Sequence, residues 1–428
     1  MKANFSNSFA KRSLVIAGAA LPSLYAGLAN AQAAPPPPAV AAAPAVAAPA
    51  VVAPAPPPPA APVAAPTPEA APAPAVVAPP APDVPPAPPT VPPPDPDAEK
   101  YKHINMGVWM RVDATLQNAA NPKKLNEIGS TGEVEFHFSN QMRKYLQWTA
   151  NLVATYGAGD GDGAGTAGIL DLIAQFEPDP AFNVWVGRML VPTDRSNFSG
   201  PYFMGPWHYP GIGNNAPKEG PFGRNNGATA WGQFAGGLFK YYLGVFKLND
   251  PAAKPLVSGR LNLSLLSPEP GFYNSSTYYG KDILALGVGF QYQKNGDAGA
   301  AGPPATPAAD YSMFNADLLF EKDLKESGVV DVEGALYKYF GDNESQKLAH
   351  FVLASYLTPE VAGIGKFQPL VRVQQSIPKT GDTTTVLDAQ VGYVVDSYST
   401  RFALGYTHVT AGGESASNAV FAGVQLQK

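Results

Sequence analysis

The side chains best suited to acid–base or metal chemistry are five histidines, His103, His137, His208, His350 and His408, and the chain has no cysteine. Their spacing contains no H-E-x-x-H or similar pairing that would bring two imidazoles to one metal. Without thiolates, neither a disulfide scaffold nor a sulfur-ligated metal centre can be built. Asp160, Asp162, Gly165 and Asp171 loosely follow a calcium-loop spacing, but Ala164 stands where a ligand is needed and strands flank the run, so it reads as an exposed loop. Neither a G-x-S-x-G elbow nor a phosphate-cradling glycine loop followed by Lys appears. The sequence thus predicts no enzyme, no metal and no cofactor. It does carry charged groups set among alternating residues: Arg111, Asp113, Glu133, Glu135, Asp171, Arg260, Asp317, Glu321, Asp331, Glu333, Arg372, Asp388 and Arg401. Groups so spaced line one face of strands, and a charged face around water can select ions and hydrophilic solutes without making or breaking bonds.

The elements that carry them have a period of two. Ile104, Met106, Val108, Met110, Val112, Ala114 and Leu116 are apolar, the residues between them are small or polar, and only Trp109 breaks the alternation. The pattern recurs at Val134, Phe136 and Phe138, at Leu146, Trp148, Ala150 and Leu152, and onward to Val420, Ala422, Val424 and Leu426. About 16 strands are expected and no helix of ordinary length. They lie near residues 103–117, 132–139, 145–156, 169–176, 182–190, 228–235, 238–248, 256–266, 282–293, 311–322, 328–340, 347–357, 367–377, 384–395, 399–410 and 416–427. Links alternate between short and long, except that Ser267 to Lys281 falls on the short side yet is long.

Ahead of the strands stand two segments of different composition. Lys2, Lys11 and Arg12, an apolar run from Ser13 to Leu28 and Ala29-Asn30-Ala31 form an export signal, giving a signal peptide over 1–31. Residues 32–100 are almost wholly Ala, Pro and Val and hold most of the 47 prolines. Proline locks φ and removes donors, so an extended, disordered rod is expected, either a passive spacer or a tether that touches the cell wall. The strands occupy 101–428. A net charge of -5, with only 15% charged residues, leaves no basic footprint for nucleic acid.

A soluble sandwich would also alternate, but its wet face would be rich in Lys and Glu. Here that face is Asn, Gln, Thr, Gly and Ser with a few charges, and dry faces end in Tyr156, Phe182, Tyr292, Tyr393 and Tyr406, as in an interfacial girdle. The expected fold is all-β, a transmembrane antiparallel barrel in outer-membrane lipid, wide enough for water. With Val184-Trp185-Val186-Gly187-Arg188 leading to Pro192 and a long loop after the fifth strand, the chain resembles Gram-negative porins, especially the phosphate-selective porin O and P-like group. The resemblance implies a homotrimer of channels with that loop folded into the pore. Its end, Val424-Gln425-Leu426-Gln427-Lys428, departs from the terminal aromatic usual in such barrels.

The loop Pro192 to Asn226 is too long for a bare connection, and its Tyr202, Trp207 and His208 among many Gly and Pro favour folding inward as a constriction with charges Asp194, Arg195, Lys218, Glu219 and Arg224. Acids outnumber bases on the wet face and no Arg or Lys ladder is present, so a general or mildly cation-preferring pore for small hydrophilic solutes and ions is expected, rather than one for phosphate. Small and amide residues at Ala285, Gly287, Gly289, Gln291 and Gln293 favour an open lumen. The alternative is a narrow barrel that anchors the envelope to the cell wall through the Ala/Pro segment.

Overall fold

The computed structural model describes Tyr101, Leu125 and residues 103–118, 127–157, 165–210, 223–248, 254–297, 307–342, 345–412 and 416–428. The expected signal peptide, the Ala/Pro segment, Asp160, Asp162, Lys218 and Glu219 lie outside the described residues.

Sixteen strands run in sequence order: β1 Asn105–Gln117, β2 Glu127–Arg143, β3 Leu146–Tyr156, β4 Thr166–Asp179, β5 Phe182–Leu190, β6 Arg224–Phe234, β7 Phe239–Phe246, β8 Leu256–Ser264, β9 Ile283–Asp297, β10 Ala309–Asp323, β11 Val329–Phe340, β12 Gln346–Leu357, β13 Lys366–Pro378, β14 Thr384–Asp396, β15 Thr400–Ala411 and β16 Ser417–Gln427. Each pairs antiparallel with its chain neighbours, and β1 also pairs with β16, Arg111 opposite Gln425 and Val112 opposite Val424, so the sheet closes. Every strand expected from the two-residue period is present. The differences are at the ends: β2 starts at Glu127 rather than 132, β4 at Thr166 rather than 169, and β6 at Arg224 rather than 228. Those extra turns carry polar or small residues on both faces, such as Arg224-Asn225-Asn226, so backbone pairing continues where the apolar alternation has stopped.

Alternation decides what the two faces meet. Outward positions stay exposed although apolar: Leu172, Val186, Leu243, Val352, Val371 and Leu404 are each more than half exposed. Inward positions such as Asp171, Asn262, Gln374 and Gln425 are buried. An apolar exterior around a polar interior inverts a soluble protein and would be costly in water. In lipid it is stable, because closure pairs every strand and leaves no edge carbonyl or amide unsatisfied. Tyr156 and Tyr292 sit toward one end of the exterior and Phe182 and Tyr393 toward the other, the two levels where amphipathic rings meet headgroups. The strands therefore cross a membrane.

At the end where β1 begins and β16 ends, most links are short, 144–145 after β2, 180–181 after β4 and 397–399 after β14, with 358–365 after β12 somewhat longer; the longest far-end link is 191–223 after β5. The exception expected near Ser267 to Lys281 is real: residues 265–282 join β8 to β9 at the short-link end. The strand order is unbroken across it, so the strand count stands and the extra length has a different cause, which is found inside the barrel.

Candidate functional site

Residues 191–210, the described part of the loop after β5, lie within the barrel; Phe198, Tyr202 and Trp207 are almost fully buried. One short helix, α1 Arg195–Ser199, starts there, with the Asp194 carboxylate accepting from Ser196 N at 3.1 Å. Beyond it the backbone is irregular, so its carbonyls need donors from outside the loop. The wall supplies them. Arg260 donates to Thr193 O at 2.7 Å, Arg372 to His208 O at 2.9 Å and Tyr209 O at 3.4 Å, Arg401 to Met204 O and Arg111 to Trp207 O. Gln425 donates to Tyr202 O at 3.0 Å, and Gln390 accepts from Trp207 N at 2.7 Å. Trp109, the break in the β1 alternation, faces inward because it packs on this loop, with ring centroids 5.3 Å from Tyr202 and 5.2 Å from Phe203. Trp207 lies over Gly423, where a methyl group would overlap its indole.

The segment 265–282 also turns into the barrel, from the opposite end. Lys240 donates to the Gly271 and Tyr273 carbonyls, both at 3.1 Å, and Tyr242 Oη to Phe272 O at 2.7 Å. The Glu321 carboxylate accepts from the backbone N–H groups of Tyr278, Gly280 and Lys281 and from Thr277 Oγ1. Phe272 stacks on Trp185 at 4.2 Å and on Phe198 at 5.3 Å, inside an apolar cluster with Trp231 and Tyr242. Tyr398 Oη serves both segments, bonding Phe203 O at 2.9 Å and Thr277 O at 2.5 Å, and Glu333 accepts from Ser196 and Ser276.

The two segments are joined directly by Arg195 and Glu269, whose charges pair through the two terminal guanidinium nitrogens at 2.7 and 2.9 Å with both side chains buried. Burial alone would raise the Glu269 carboxyl, but Arg195 beside it wins and holds it well below the usual carboxylate range. Burial, with Asp317 nearby, pushes the Asp194 carboxyl up to about 6. Burial lowers the His208 imidazole to about 4.

The charged residues expected on the wet face all lie on inward positions, but most are engaged. Asp171 pairs with Arg224 at 3.0 Å, Asp317 with Arg260 at 2.8 Å and Asp388 with Arg372 at 2.9 Å. Asp113 accepts from Thr131 at 2.8 Å and Trp207 Nε1 at 3.3 Å, Asp331 from Ser355 at 2.8 Å, and Glu135 lies 2.9 Å from His137 Nε2. Glu133 stands opposite Arg111 in register. Arg224 belongs to β6 and not to the loop. The small residues of β9 do not open the lumen as expected: a methyl group at Gly289 would come 3.2 Å from Thr193 O, and one at Gly287 would meet Arg260 and Asp317. They make room for the first inward segment and its anchor. Sequence reasoning missed Lys240, Glu269, Phe272, Tyr278 and Tyr398; the signal available was an aromatic-rich link of excess length on the short-turn side.

Against β1 to β4 the two segments leave a chamber of about 620 Å³. Trp109, Glu135, His137, Thr149, Asn151 and Asp171 form its wall, Tyr202 and Phe203 one side, and Tyr273, Asn274 and Tyr278 the other. It reaches Asn105 and Lys281 at the termini end. Among the described residues no three His, Asp or Glu side chains converge as a metal site.

This fold, a closed barrel of sixteen strands with a loop turned inward, is the porin-type fold. The chain is similar to Salmonella typhi OmpF in complex with daunomycin (8% identity, TM-score 0.52, 77% of this chain and 99% of that one). It is likewise similar to the trimer form of OmpT, an outer membrane protein of Vibrio cholerae (14%, 0.50, 76% and 99%). A third likeness is to the anion-selective porin of Comamonas acidovorans (12%, 0.50, 76% and 99%). No family profile matches the chain. No curated protein matches it either.

Proposed function

We propose that this chain forms a channel of the Gram-negative outer membrane through which ions and small hydrophilic solutes diffuse passively, with a mild preference for cations. The observation that carries the reading is the chamber against β1 to β4, a hollow lined by aromatic side chains together with Glu135, His137, Thr149, Asn151 and Asp171, inside a lipid-facing barrel. Cation preference rests on the use to which the bases are put. Arg195, Arg224, Arg260 and Arg372 are each paired with a carboxylate, and Arg111 and Arg401 hold backbone carbonyls, while Glu135 lines the chamber. Phosphate specificity has no support in this arrangement, since no ladder of bases stands along the described wall. The trimeric form of one structural neighbour supports a homotrimer in outer-membrane lipid. We assign 1–31 to a signal peptide, 32–100 to a periplasmic linker and 101–428 to the barrel.

A second reading is favoured by the aromatic cluster of Phe198, Phe272, Trp185, Trp231 and Tyr242, which fills part of the lumen. A narrowed barrel could serve as an anchor whose 32–100 segment touches the cell wall. Swelling of proteoliposomes in sugars of graded size separates the two. Swelling that declines with solute size supports the channel, and its loss with 34–97 removed would assign the tether a part in permeation. Equal silence for all solutes would favour the anchor.

A further inference from the structure

A segment that enters a barrel from the short-turn end and is anchored along its length must have a purpose beyond connection. Glu269 accepts from Arg195, Ser264 at 2.7 Å and Asn262 at 3.3 Å; Glu321 accepts from Thr277, Tyr278, Gly280 and Lys281; Lys240 and Tyr242 hold Gly271 through Tyr273. These partners come from β7, β8, β10 and the first inward segment, and Gln233 on β6 and Glu333 on β11 accept from Gly271 and Ser276, so residues 265–282 cover the lumen wall along β6 to β11. This segment does not cover the wall from β1 to β4, and there the chamber lies. Several residues of the segment line that space, and among them Asn274, 3% exposed, has a side-chain amide neither atom of which meets a protein partner. A buried amide in such a position can both donate to and accept from a hydroxyl-bearing solute.

We infer that residues 265–282 are a second narrowing element of the channel, latched to the first by Arg195–Glu269, which confines solutes to the β1 to β4 side and presents Asn274 to them. The inference deepens the channel reading and rests on it for the solute, but the narrowing of the lumen can be tested without it.

The absence of cysteine makes single-cysteine labelling clean. The full barrel in vesicles, carrying either Thr149→Cys or Ser264→Cys, is treated with a quaternary-ammonium methanethiosulfonate, and the added mass is read by mass spectrometry. Thr149 lines the chamber, whereas Ser264 is 0% exposed beneath the segment. Labelling of the first at least tenfold faster than the second is expected; equal rates overturn the inference. Replacing residues 268–280 by a two-residue turn should raise single-channel conductance at least 1.5-fold, and an unchanged value contradicts the narrowing role. Should that variant not fold, the labelling pair still decides. If the wild type is silent and the shortened variant conducts, the narrowing stands and the open-channel reading fails. In the conducting wild type, Asn274→Leu should slow sugar permeation at least twofold relative to KCl; an equal ratio removes Asn274 from the proposal.

Discussion

Arg195 and Glu269 lie 74 residues apart and reach each other from opposite ends of the barrel, yet form two charge-assisted hydrogen bonds of 2.7 and 2.9 Å with both side chains buried. Neither segment could hold this position by secondary structure alone. The pair fixes one irregular loop against another, and the wall arginines then serve the loop's carbonyls.

Breaking that pair should be expensive. Glu269→Ala leaves a buried guanidinium without its counter-charge, and a loss of about 3–5 kcal/mol is expected. The double variant Arg195→Met with Glu269→Ala should lose less than the sum of the single changes, read as urea midpoints of the detergent-folded barrel. Additive losses would show that the pair is not coupled.

The lipid-facing assignment has its own test. Leu404 is 59% exposed in the middle of β15, so Leu404→Arg puts a charge into hydrocarbon and should cost about 2–4 kcal/mol of folding stability in lipid vesicles. Gln374→Arg, on the inner face of β13, changes no lipid contact. If Leu404→Arg is as stable as wild type in lipid, the exterior does not face the membrane.

Much of this fold is legible in sequence because a barrel strand advertises both its faces. The alternation at Ile104 to Leu116 and its repeats locate every strand, and the same parity puts Arg111, Asp171 and Arg401 inward. Parity gives a face and no partner. It could not tell that Arg111 and Arg401 hold loop carbonyls, because the path of 191–210 is set by contacts 96 and 197 residues away in the chain. Trp109 looked like a flaw in the pattern and is a packing contact instead. The link Ser267 to Lys281 was visible as too long, but nothing in its spacing shows that Glu269 would meet Arg195. Gly287 and Gly289 read as room for water when they are room for protein.

Asp194 and His208 should respond to acidity in opposite senses. The Asp194 carboxyl is pushed up to about 6, above its unfolded value of roughly 3.9, so the fold prefers the neutral acid and stability falls as pH rises through that window. Arg260, Asp317, Glu333 and Tyr337 are the charged and titratable groups around it. Glu269, held low, keeps its contribution throughout this range, and His208, lowered to about 4, favours the fold as pH rises, a contribution common to wild type and Asp194→Asn that cancels in their comparison. Between pH 5 and 8 wild type should lose about 1 kcal/mol more than Asp194→Asn, measured by urea unfolding at each pH. Parallel losses would exclude this group.

The chamber charge gives the selectivity prediction. Glu135→Gln removes a carboxylate from its wall and should shift the zero-current potential in a KCl gradient toward the anion side, with conductance within about twofold of wild type. A shift of the opposite sign would move the selective charge elsewhere.

The channel itself is tested most directly by single-channel recording of the folded barrel in a planar bilayer under a KCl gradient. Stepwise conductance with a cation-leaning zero-current potential is the expected result. Silence from barrels verified as folded and inserted would contradict it.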